Sequence, residues 1–261
     1  MDFVKAKKRL GQHFLKDESI AFDIVSALKA ETGNVLEIGA GMGVLTQYLL
    51  AKENLNLKII EIDNQSVEYL LQHFSALNGK VTEKDFLKTD LSHLFSQQKF
   101  SIIGNFPYNI SSQILFKMLE YKDLVVELTG MFQKEVALRI TSPNGSKNYG
   151  ILSVLLQAYY TTEYLFDVPP DVFLPPPKVD SAVIRLLRNE TTTLPCDEKV
   201  FKNIVKTSFN QRRKTLRNSL KNINFNPDFQ SNTIFNLRPE QLSTDDFIQL
   251  AQNTYFSECR V

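Results

Sequence analysis

Cysteine, net charge and long apolar runs are all scarce in this sequence. The two cysteines, Cys196 and Cys259, stand without CxxC spacing or neighbouring histidines, which argues against a disulfide framework and a zinc site. No apolar run reaches membrane-spanning length, and residues 1–5 lead into basic residues rather than into the apolar stretch of a secretory signal. We therefore expect a soluble, cytoplasmic protein without a bound metal ion.

The formal net charge is only +1, so a nucleic-acid surface has to come from local clusters of Lys and Arg. Internal repeats of solenoid or propeller length are not visible either. What the chain does have is length and apolar content, because 261 residues with 43% hydrophobic side chains suffice for a full core. This predicts one large domain, alone or with a small one.

Helical spacing and short apolar runs alternate along most of the chain. Ile20, Ile24 and Leu28 recur at helical spacing, and the apolar run 35–38 follows as a buried strand. Further strands are predicted at 57–62, 80–83, 100–104, 124–132 and 182–187. Further helices are predicted at 66–76, 112–119 and about 149–160. Such alternation is typical of an α/β fold with a mostly parallel sheet.

The segment 189–195 is polar, and the periodicity beyond it is helical rather than alternating. We therefore predict a sheet-containing domain over residues 1–188 and a small all-helical domain over residues 189–261.

Three glycines, Gly39, Gly41 and Gly43, stand where the first predicted strand turns into a helix. Glycine lets a ligand approach the backbone closely. The third glycine comes one residue too early for the dinucleotide fingerprint, so the turn suits an uncharged ribose and an amino-acid moiety better than a pyrophosphate. A turn that serves packing alone is the alternative.

Two acids follow at strand ends. Glu61 lies about twenty residues after the glycines, where its carboxylate can accept hydrogen bonds from both ribose hydroxyls. Asp85 follows the next predicted strand and is placed to bind an adenine amine. Acids that merely end strands on a solvated rim are the alternative. The order of glycine loop, Glu and Asp resembles class I methyltransferases, which implies S-adenosyl-L-methionine as cofactor.

The segment Asn105-Phe106-Pro107-Tyr108 follows the fourth strand and resembles the Asn-x-Pro-Tyr motif of adenine-amine methyltransferases. Adenine N6 is a poor nucleophile because its lone pair is delocalised into the ring. If the Asn105 oxygen and the Phe106 carbonyl accept its hydrogens, the lone pair can turn toward a sulfonium methyl. Pro107 would fix the turn and Tyr108 would stack on the base. A strand-end turn with a packing tyrosine is the alternative.

The motifs together resemble the ribosomal RNA small-subunit adenine dimethyltransferase family. They lie at 8–15, 39–43, 104–109 and 173–186, in the family's order, and the resemblance covers nearly the whole chain. It implies a Rossmann-like class I methyltransferase domain whose cofactor contacts are His13, Leu15, Gly39, Glu61, Asp85 and Asn105. Many members have Asn where this chain has His13, so its side-chain role is open, although a backbone contact would survive the difference.

The resemblance also implies the substrate. Phe173, in the proline-rich loop 168–177, would lie across the target base from Tyr108, whereas a rigid hairpin turn is the alternative reading of this loop. The methyl groups would go to N6 of two adjacent adenosines near the 3′ end of small-subunit ribosomal RNA, in a pre-ribosomal particle. We expect the enzyme to act there as a monomer.

Two basic clusters fit such a partner. Between Lys199 and Lys221 the chain has eight basic residues and no acid, interleaved with apolar residues as in amphipathic helices. A solvated face is the alternative, but this pattern favours phosphate contacts. The candidate RNA contacts are Lys206, Arg212, Arg213, Lys214 and Arg217 in this helical cluster and Lys7, Lys8 and Arg9 in the N-terminal arm cluster.

Three other functions stay open at this point. A large-subunit ribosomal RNA adenine methylase of the macrolide-resistance type shares the Asn-x-Pro-Tyr chemistry. A ribosome-assembly factor with dispensable methylation shares the fold, although the intact Glu61, Asn105 and Tyr108 argue against loss of catalysis. A DNA adenine methyltransferase is disfavoured by the basic C-terminal helices and the proline-rich loop.

Overall fold

A computed structural model describes residues 4–30 and 33–255. Residues 1–3, which entered the argument against a secretory signal, and Cys259 lie outside the described residues. Cys196 is a half-buried free thiol. Within the described residues no helix combines the length and the apolar character needed to cross a bilayer, and three or more His, Cys, Asp or Glu side chains nowhere gather as they would around a metal ion.

The regular elements alternate along the chain. The strands are β1 (Phe14–Leu15), β2 (Gly33–Ile38), β3 (Leu55–Glu61), β4 (Val81–Glu83), β5 (Phe100–Asn105), β6 (Val125–Gln133), β7 (Tyr160–Val168), β8 (Phe173–Leu174) and β9 (Ser181–Arg188). The α-helices are α1 (Glu18–Ala27), α2 (Thr46–Leu50), α3 (Asn64–His73), α4 (Ser111–Glu120), α5 (Lys134–Thr141), α6 (Ile151–Gln157), α7 (Glu198–Asn210), α8 (Leu216–Ser219) and α9 (Thr244–Gln252).

The chain divides by contacts into two compact units. The first comprises the described residues up to Ala137 together with Thr161–Arg188, and the second comprises Leu138–Tyr160 and the described residues from Asn189 onward. Residues 138–160 thus pack with the C-terminal segment rather than with the sheet. The division into domains 1–188 and 189–261 stays a prediction, and only its boundary at 188 coincides with a boundary between units.

The first unit is built around a seven-stranded sheet in the order β4-β3-β2-β5-β6-β9-β7. Strands β4, β3, β2, β5 and β6 are parallel neighbours, and β9 pairs antiparallel with β6. The carboxyl ends of the parallel strands therefore meet at one edge of the sheet. This architecture confirms the predicted α/β class with a mostly parallel sheet.

The central strands are largely apolar, as expected where both faces of a parallel sheet are covered. Val35 and Leu36 of β2 and Ile102 and Ile103 of β5 have no exposed surface. The buried carboxylate of Glu127 on β6 has hydrogen-bond donors in the backbone N–H groups of Lys29 and Ala30 and in the Thr129 hydroxyl. It thereby fixes the connection after α1 without leaving a buried charge unsatisfied.

The predicted strands and helices of the first unit are confirmed to within a few residues at their ends. The predicted helix at about 149–160 is wrong in its length, because α6 ends at Gln157 and the chain continues into strand β7. Strand β7 has only intermediate burial over most of its length and lies at the sheet edge, so it lacks the alternation that would have marked it.

The second unit packs helices α6, α7, α8 and α9 together. Phe201, Ile204 and Val205 form the buried face of α7, and Phe209 lies between Phe247 of α9 and Tyr149, with ring centroids 5.8 and 6.1 Å away. The helical periodicity seen in the sequence beyond residue 195 is thus confirmed.

Candidate cofactor and active site

A cleft of about 950 Å³, counted with its open mouth, lies at the carboxyl ends of the parallel strands. Its walls come from four parts of the first unit, all singled out by their sequence. These are the arm residues 10–15, the turn after β2, the ends of β3 and β4 with Glu61 and Asp85, and the segment from Asn105 to Tyr108. The structure therefore gathers residues that are up to 98 positions apart in the sequence around one space.

The turn after β2 needs its glycines for conformation and for space. Gly39, Gly41 and Gly43 have φ angles of 70°, 57° and 83°, a region that other residues rarely adopt. A Cβ on Gly41 would lie 2.9 Å from the Phe14 ring of the arm. A Cβ on Gly39 would meet only Pro107, at 4.0 Å, so the backbone at Gly39 is open to the cleft.

Glu61 joins the end of β3 to the glycine turn. One carboxylate oxygen accepts the backbone N–H groups of Ile62 at 2.8 Å and Asp63 at 2.9 Å, and the other accepts that of Gly41 at 3.0 Å. Burial raises the pKa of Glu61, although these three donors act in the opposite direction. A carboxylate has about four acceptor positions, so about one is left for a ligand hydroxyl. The sequence analysis expected Glu61 to accept from both ribose hydroxyls, which needs two.

Asp85 lies on the cleft wall just after β4. One of its oxygens accepts the N–H of Leu87 at 2.9 Å and so caps the short turn 86–88. The buried Lys117 of α4 donates to the Leu87 carbonyl at 2.9 Å and holds the same turn from behind. The other Asp85 oxygen is 3.9 Å from the Lys88 ammonium. Contact with an adenine amine stays a prediction.

Glu37 is a cleft residue that the sequence analysis missed. It is 1% exposed at the end of β2, and its carboxyl accepts a hydrogen bond from the Thr46 hydroxyl at 2.7 Å. Burial raises the pKa of Glu37 to about 8, so the side chain is mostly neutral at pH 7. An acid inside an otherwise apolar buried strand was the available signal.

Asn105 ends β5 with its amide turned toward the arm. Its Nδ2 donates to the His13 carbonyl at 3.0 Å. Phe106 is buried and donates its backbone N–H to the Met131 carbonyl at 3.2 Å. Its ring lies against Gly130, where a Cβ would come within 2.4 Å of it. Strand pairing and ring packing therefore fix the backbone on which the Asn105 amide sits.

His13 and Tyr108 form a stacked pair beside the cleft. Their ring centroids are 5.4 Å apart and their planes differ by 25°. The Nδ1–H of His13 donates to the Pro175 carbonyl at 2.7 Å, and the Tyr108 hydroxyl hydrogen-bonds to Ser181 at 2.5 Å. Burial raises the pKa of Tyr108. The His13 side chain, open in the sequence analysis, thus links the arm to the proline-rich loop.

Leu15 and Phe173 face the protein interior. β1 pairs antiparallel with β8, which sets Phe14 opposite Leu174 and Leu15 opposite Phe173. Leu15 lines the cleft with part of its surface, whereas Phe173 is 1% exposed and lies in the core with Leu15 and Val168. The ring that stacks on Tyr108 here is His13, so the position of Phe173 across a base stays a prediction.

The candidate RNA contacts differ in solvent exposure and in whether the side chain already has a partner in the protein. Exposed basic side chains are Lys8, Arg9, Lys206, Arg213, Lys214 and Arg217. Lys7 instead forms an ion pair with the buried Asp63. Arg212 donates to the Lys147 carbonyl at 2.6 Å and lies 4.0 Å from the Glu240 carboxylate. The structure thus gives Lys7 and Arg212 partners within their own units.

A mostly parallel sheet with a glycine turn, an acid ending the second strand of the cleft and an Asn-Phe-Pro-Tyr segment ending β5 defines a class I methyltransferase. Comparison with known proteins gives the particular family. The family model described as ribosomal RNA adenine dimethylase matches residues 3–253. The chain belongs to this family and is an enzyme.

Its relatives and structural neighbours agree. The ribosomal RNA small subunit methyltransferase A of Flavobacterium johnsoniae is 57% identical over 253 residues, 97% of each chain. That of Phocaeicola vulgatus is 58% identical over 96% of this chain and 90% of its own. A dimethyladenosine transferase from Plasmodium falciparum has a TM-score of 0.78 at 27% identity, covering 94% of this chain and 100% of its own.

A further neighbour shows the fold alone. The 23S ribosomal RNA methyltransferase ErmE has a TM-score of 0.68 at 24% identity, covering 92% of this chain and 100% of its own.

The raised pKa of Glu37 predicts a pH-dependent stability. The unfolded chain ionises Glu37 near its ordinary pKa of 4.5, whereas the folded chain keeps the proton up to about pH 8. The contribution of the protonated Glu37 to the free energy of unfolding is therefore complete below pH 4.5. It is lost as the pH rises toward 8, at up to about 1.4 kcal/mol per pH unit. Glu37→Gln should be more stable than the wild type at pH 8 and lose less from pH 5 to 8 in urea unfolding.

The exposed Glu53→Gln is the matched control, because it removes the same charge from the surface. Parallel pH profiles of Glu37→Gln and the wild type would contradict the protonated state of Glu37.

Proposed function

We propose that this enzyme uses S-adenosyl-L-methionine to methylate N6 of two adjacent adenosines near the 3′ end of small-subunit ribosomal RNA, giving N6,N6-dimethyladenosine. The observation that carries this proposal is the Asn105 amide at the end of β5. Because its Nδ2 is taken by the His13 carbonyl, its oxygen is left as an acceptor. An acceptor at this place suits an amine that must be oriented, not deprotonated beforehand.

The cleft fits the proposed cofactor. Glu61 retains an acceptor position for a ribose hydroxyl, and the open backbone at Gly39 accommodates the amino-acid end. Ile62 lines the same cleft with 48% of its surface exposed, and offers an apolar face to an adenine ring. When bound, the cofactor supplies an electrophilic methyl group on its sulfonium sulfur.

The chain's own residues would orient the nucleophile. The Asn105 oxygen and the Phe106 carbonyl accept the N6 hydrogens, which turns the nitrogen lone pair toward the methyl carbon. With the cofactor bound, the N6 nitrogen would take the methyl group, the sulfur would keep the electrons of the former S–C bond, and the proton displaced from the amine would leave to solvent. Tyr108 is the proposed partner of one side of the base plane, with Pro107 fixing the turn between Asn105 and Tyr108. Phe173, which is 1% exposed, takes the other side only if it leaves the core.

The substrate assignment has two supports. The relatives described above are named for the small ribosomal subunit, and most basic residues of both clusters are exposed, as residues that contact phosphates must be. A monomer acting on a pre-ribosomal particle in the cytoplasm belongs to the same proposal. A large-subunit substrate, and a main role in subunit assembly, are outcomes that the first experiment separates.

Methyl transfer to purified subunits tests the substrate. With labelled cofactor and unmodified small and large ribosomal subunits, we expect label in small-subunit RNA, as dimethyladenosine at two adjacent positions near the 3′ end. Mass spectrometry of nuclease fragments locates the modified bases. Label confined to large-subunit RNA would overturn the proposal, and binding without transfer would favour the assembly role.

Replacing the catalytic amide should affect the chemical step. Asn105→Ala removes an acceptor that matters most as positive charge develops on N6, so we expect a loss on the order of a hundredfold in single-turnover rate, with RNA affinity little changed. Quenched-flow transfer at saturating cofactor and RNA measures it. Asn56→Ala, an exposed amide at the opposite end of the sheet, is the control. A near-wild-type rate would remove Asn105 from the mechanism.

The helical cluster should set the salt dependence of RNA binding. Neutralising Arg213 and Lys214 to Gln removes two exposed cations, so the slope of log affinity against log salt should shrink by about 1.4 to 1.8. Filter binding across a salt series measures the slope. The same changes at the exposed Lys29 and Lys99 are the control. Equal slopes in both double variants would mean that the cluster is only a solvated face.

A further inference from the structure

The N-terminal arm, residues 4–17, is fastened at a buried carboxylate outside the residues assigned so far. The Lys7 ammonium pairs with Asp63, whose side chain has no exposed surface. The Gln12 side-chain amide donates to the second Asp63 oxygen at 2.9 Å, and the backbone N–H of Lys7 donates to the Gln12 side-chain oxygen at 2.8 Å. Burial acts to raise the pKa of Asp63, but the hydrogen bonds from Lys7 and Gln12 and the Lys7 charge hold it below its usual value.

From this clamp the arm runs directly to the catalytic amide. Gly11, with φ at 64°, leaves no room for a side chain, because a Cβ there would lie 2.6 Å from the Asn109 amide oxygen. His13 follows two residues later and presents its carbonyl to the Asn105 Nδ2 at 3.0 Å. One residue after the clamp ends, the chain thus contacts the group proposed to orient the amine.

The His13 carbonyl decides which end of the Asn105 amide is free. A carbonyl only accepts, so it bonds the amide nitrogen and leaves the amide oxygen as the free end. Without that partner the amide can rotate by 180° and present N–H donors. Donors repel the N6 hydrogens that the proposed mechanism needs to hold.

We propose that Lys7 and Gln12 are positioning residues, which clamp the arm onto Asp63 and so keep the His13 carbonyl on the Asn105 amide with its oxygen free for the amine. This inference rests on the proposed function. It gives Lys7 a role different from the phosphate contact expected from the sequence. Exposure supports it, because the Lys7 side chain is only 28% exposed and its partner is fully buried, whereas the neighbouring Lys8 and Arg9 are exposed.

The clamp is best tested from the arm side. Asp63 also accepts the N–H of Gln65 at 3.2 Å and so caps α3, which means that its replacement would disturb the helix as well. Lys7→Met removes the ammonium and keeps a long side chain. Lys5→Met removes one charge from an exposed lysine of the same arm and is the matched control. Lys7→Arg keeps the charge and should retain function.

Two measurements separate the clamp from other roles. Hydrogen exchange of the protein without cofactor or RNA should be faster at residues 12–15 in Lys7→Met than in Lys5→Met, by about tenfold or more, since breaking a pair with a buried partner loosens what it holds. Single-turnover transfer at saturating cofactor and RNA should also fall by about tenfold in Lys7→Met and stay near wild type in Lys5→Met and Lys7→Arg.

Gln12→Ala supplies an independent variant that leaves the Lys7 charge in place. It should change exchange and rate in the same direction by a smaller factor. Equal behaviour of Lys7→Met and Lys5→Met in both measurements would overturn the proposal. Weaker RNA binding with an unchanged single-turnover rate would instead make Lys7 a phosphate contact and would also overturn it. If the wild type transfers no methyl group to ribosomal RNA, the proposed function fails, whereas unchanged exchange in Lys7→Met refutes the clamp itself.

Discussion

The cleft depends on one buried carboxylate. Glu61 accepts three backbone N–H groups, two from its own strand end and one from Gly41, and so holds the turn after β2 against the end of β3. The parallel sheet brings the two strand ends to the same edge, where the Gly39 N–H still donates to the Ile60 carbonyl at 2.9 Å. Beyond that point the spacing of the two loops depends on this carboxylate. The same group is the proposed ribose acceptor, so the shape of the cleft and its chemistry share one residue.

The arm completes the site in a way that the sheet does not. It is joined to the rest of the first unit by the two-residue pairing of β1 with β8, by the clamp at Asp63 and by the His13 carbonyl on Asn105. Phe14 and Leu15 anchor the end of the arm by apolar burial, whereas residues 7–13 are joined to the unit mainly by polar contacts, which contribute little net stability when their partners can be solvated instead. The position of residues 7–13 therefore depends largely on individual hydrogen bonds.

The sequence predicted those structural elements and site residues that are determined by their own local sequence. Strands β2, β3 and β5, the glycine turn, Glu61, Asp85 and the segment from Asn105 to Tyr108 follow from periodicity, backbone freedom and strand-end chemistry. Strand β7 was missed because its burial is set by its edge position. The partners of Lys7 and Arg212 were missed because a charge pattern does not reveal which cation meets a buried acceptor. Glu37 was missed because an acid in an apolar run has no periodicity of its own.

Under the proposed mechanism, the second methyl transfer makes the greater demand on the Asn105 amide. Adenine N6 begins with two N–H groups, one for the Asn105 oxygen and one for the Phe106 carbonyl. After the first transfer a single N–H remains, and the methyl group must take the place of the other hydrogen. Phe106 lies on a backbone fixed by its bond to Met131, whereas the Asn105 side-chain amide has the His13 carbonyl of the arm as its one hydrogen-bond partner among the described residues. Loss of the arm contact should therefore raise the fraction of product that stops at monomethyladenosine, because the once-methylated amine has no second donor with which to hold its orientation.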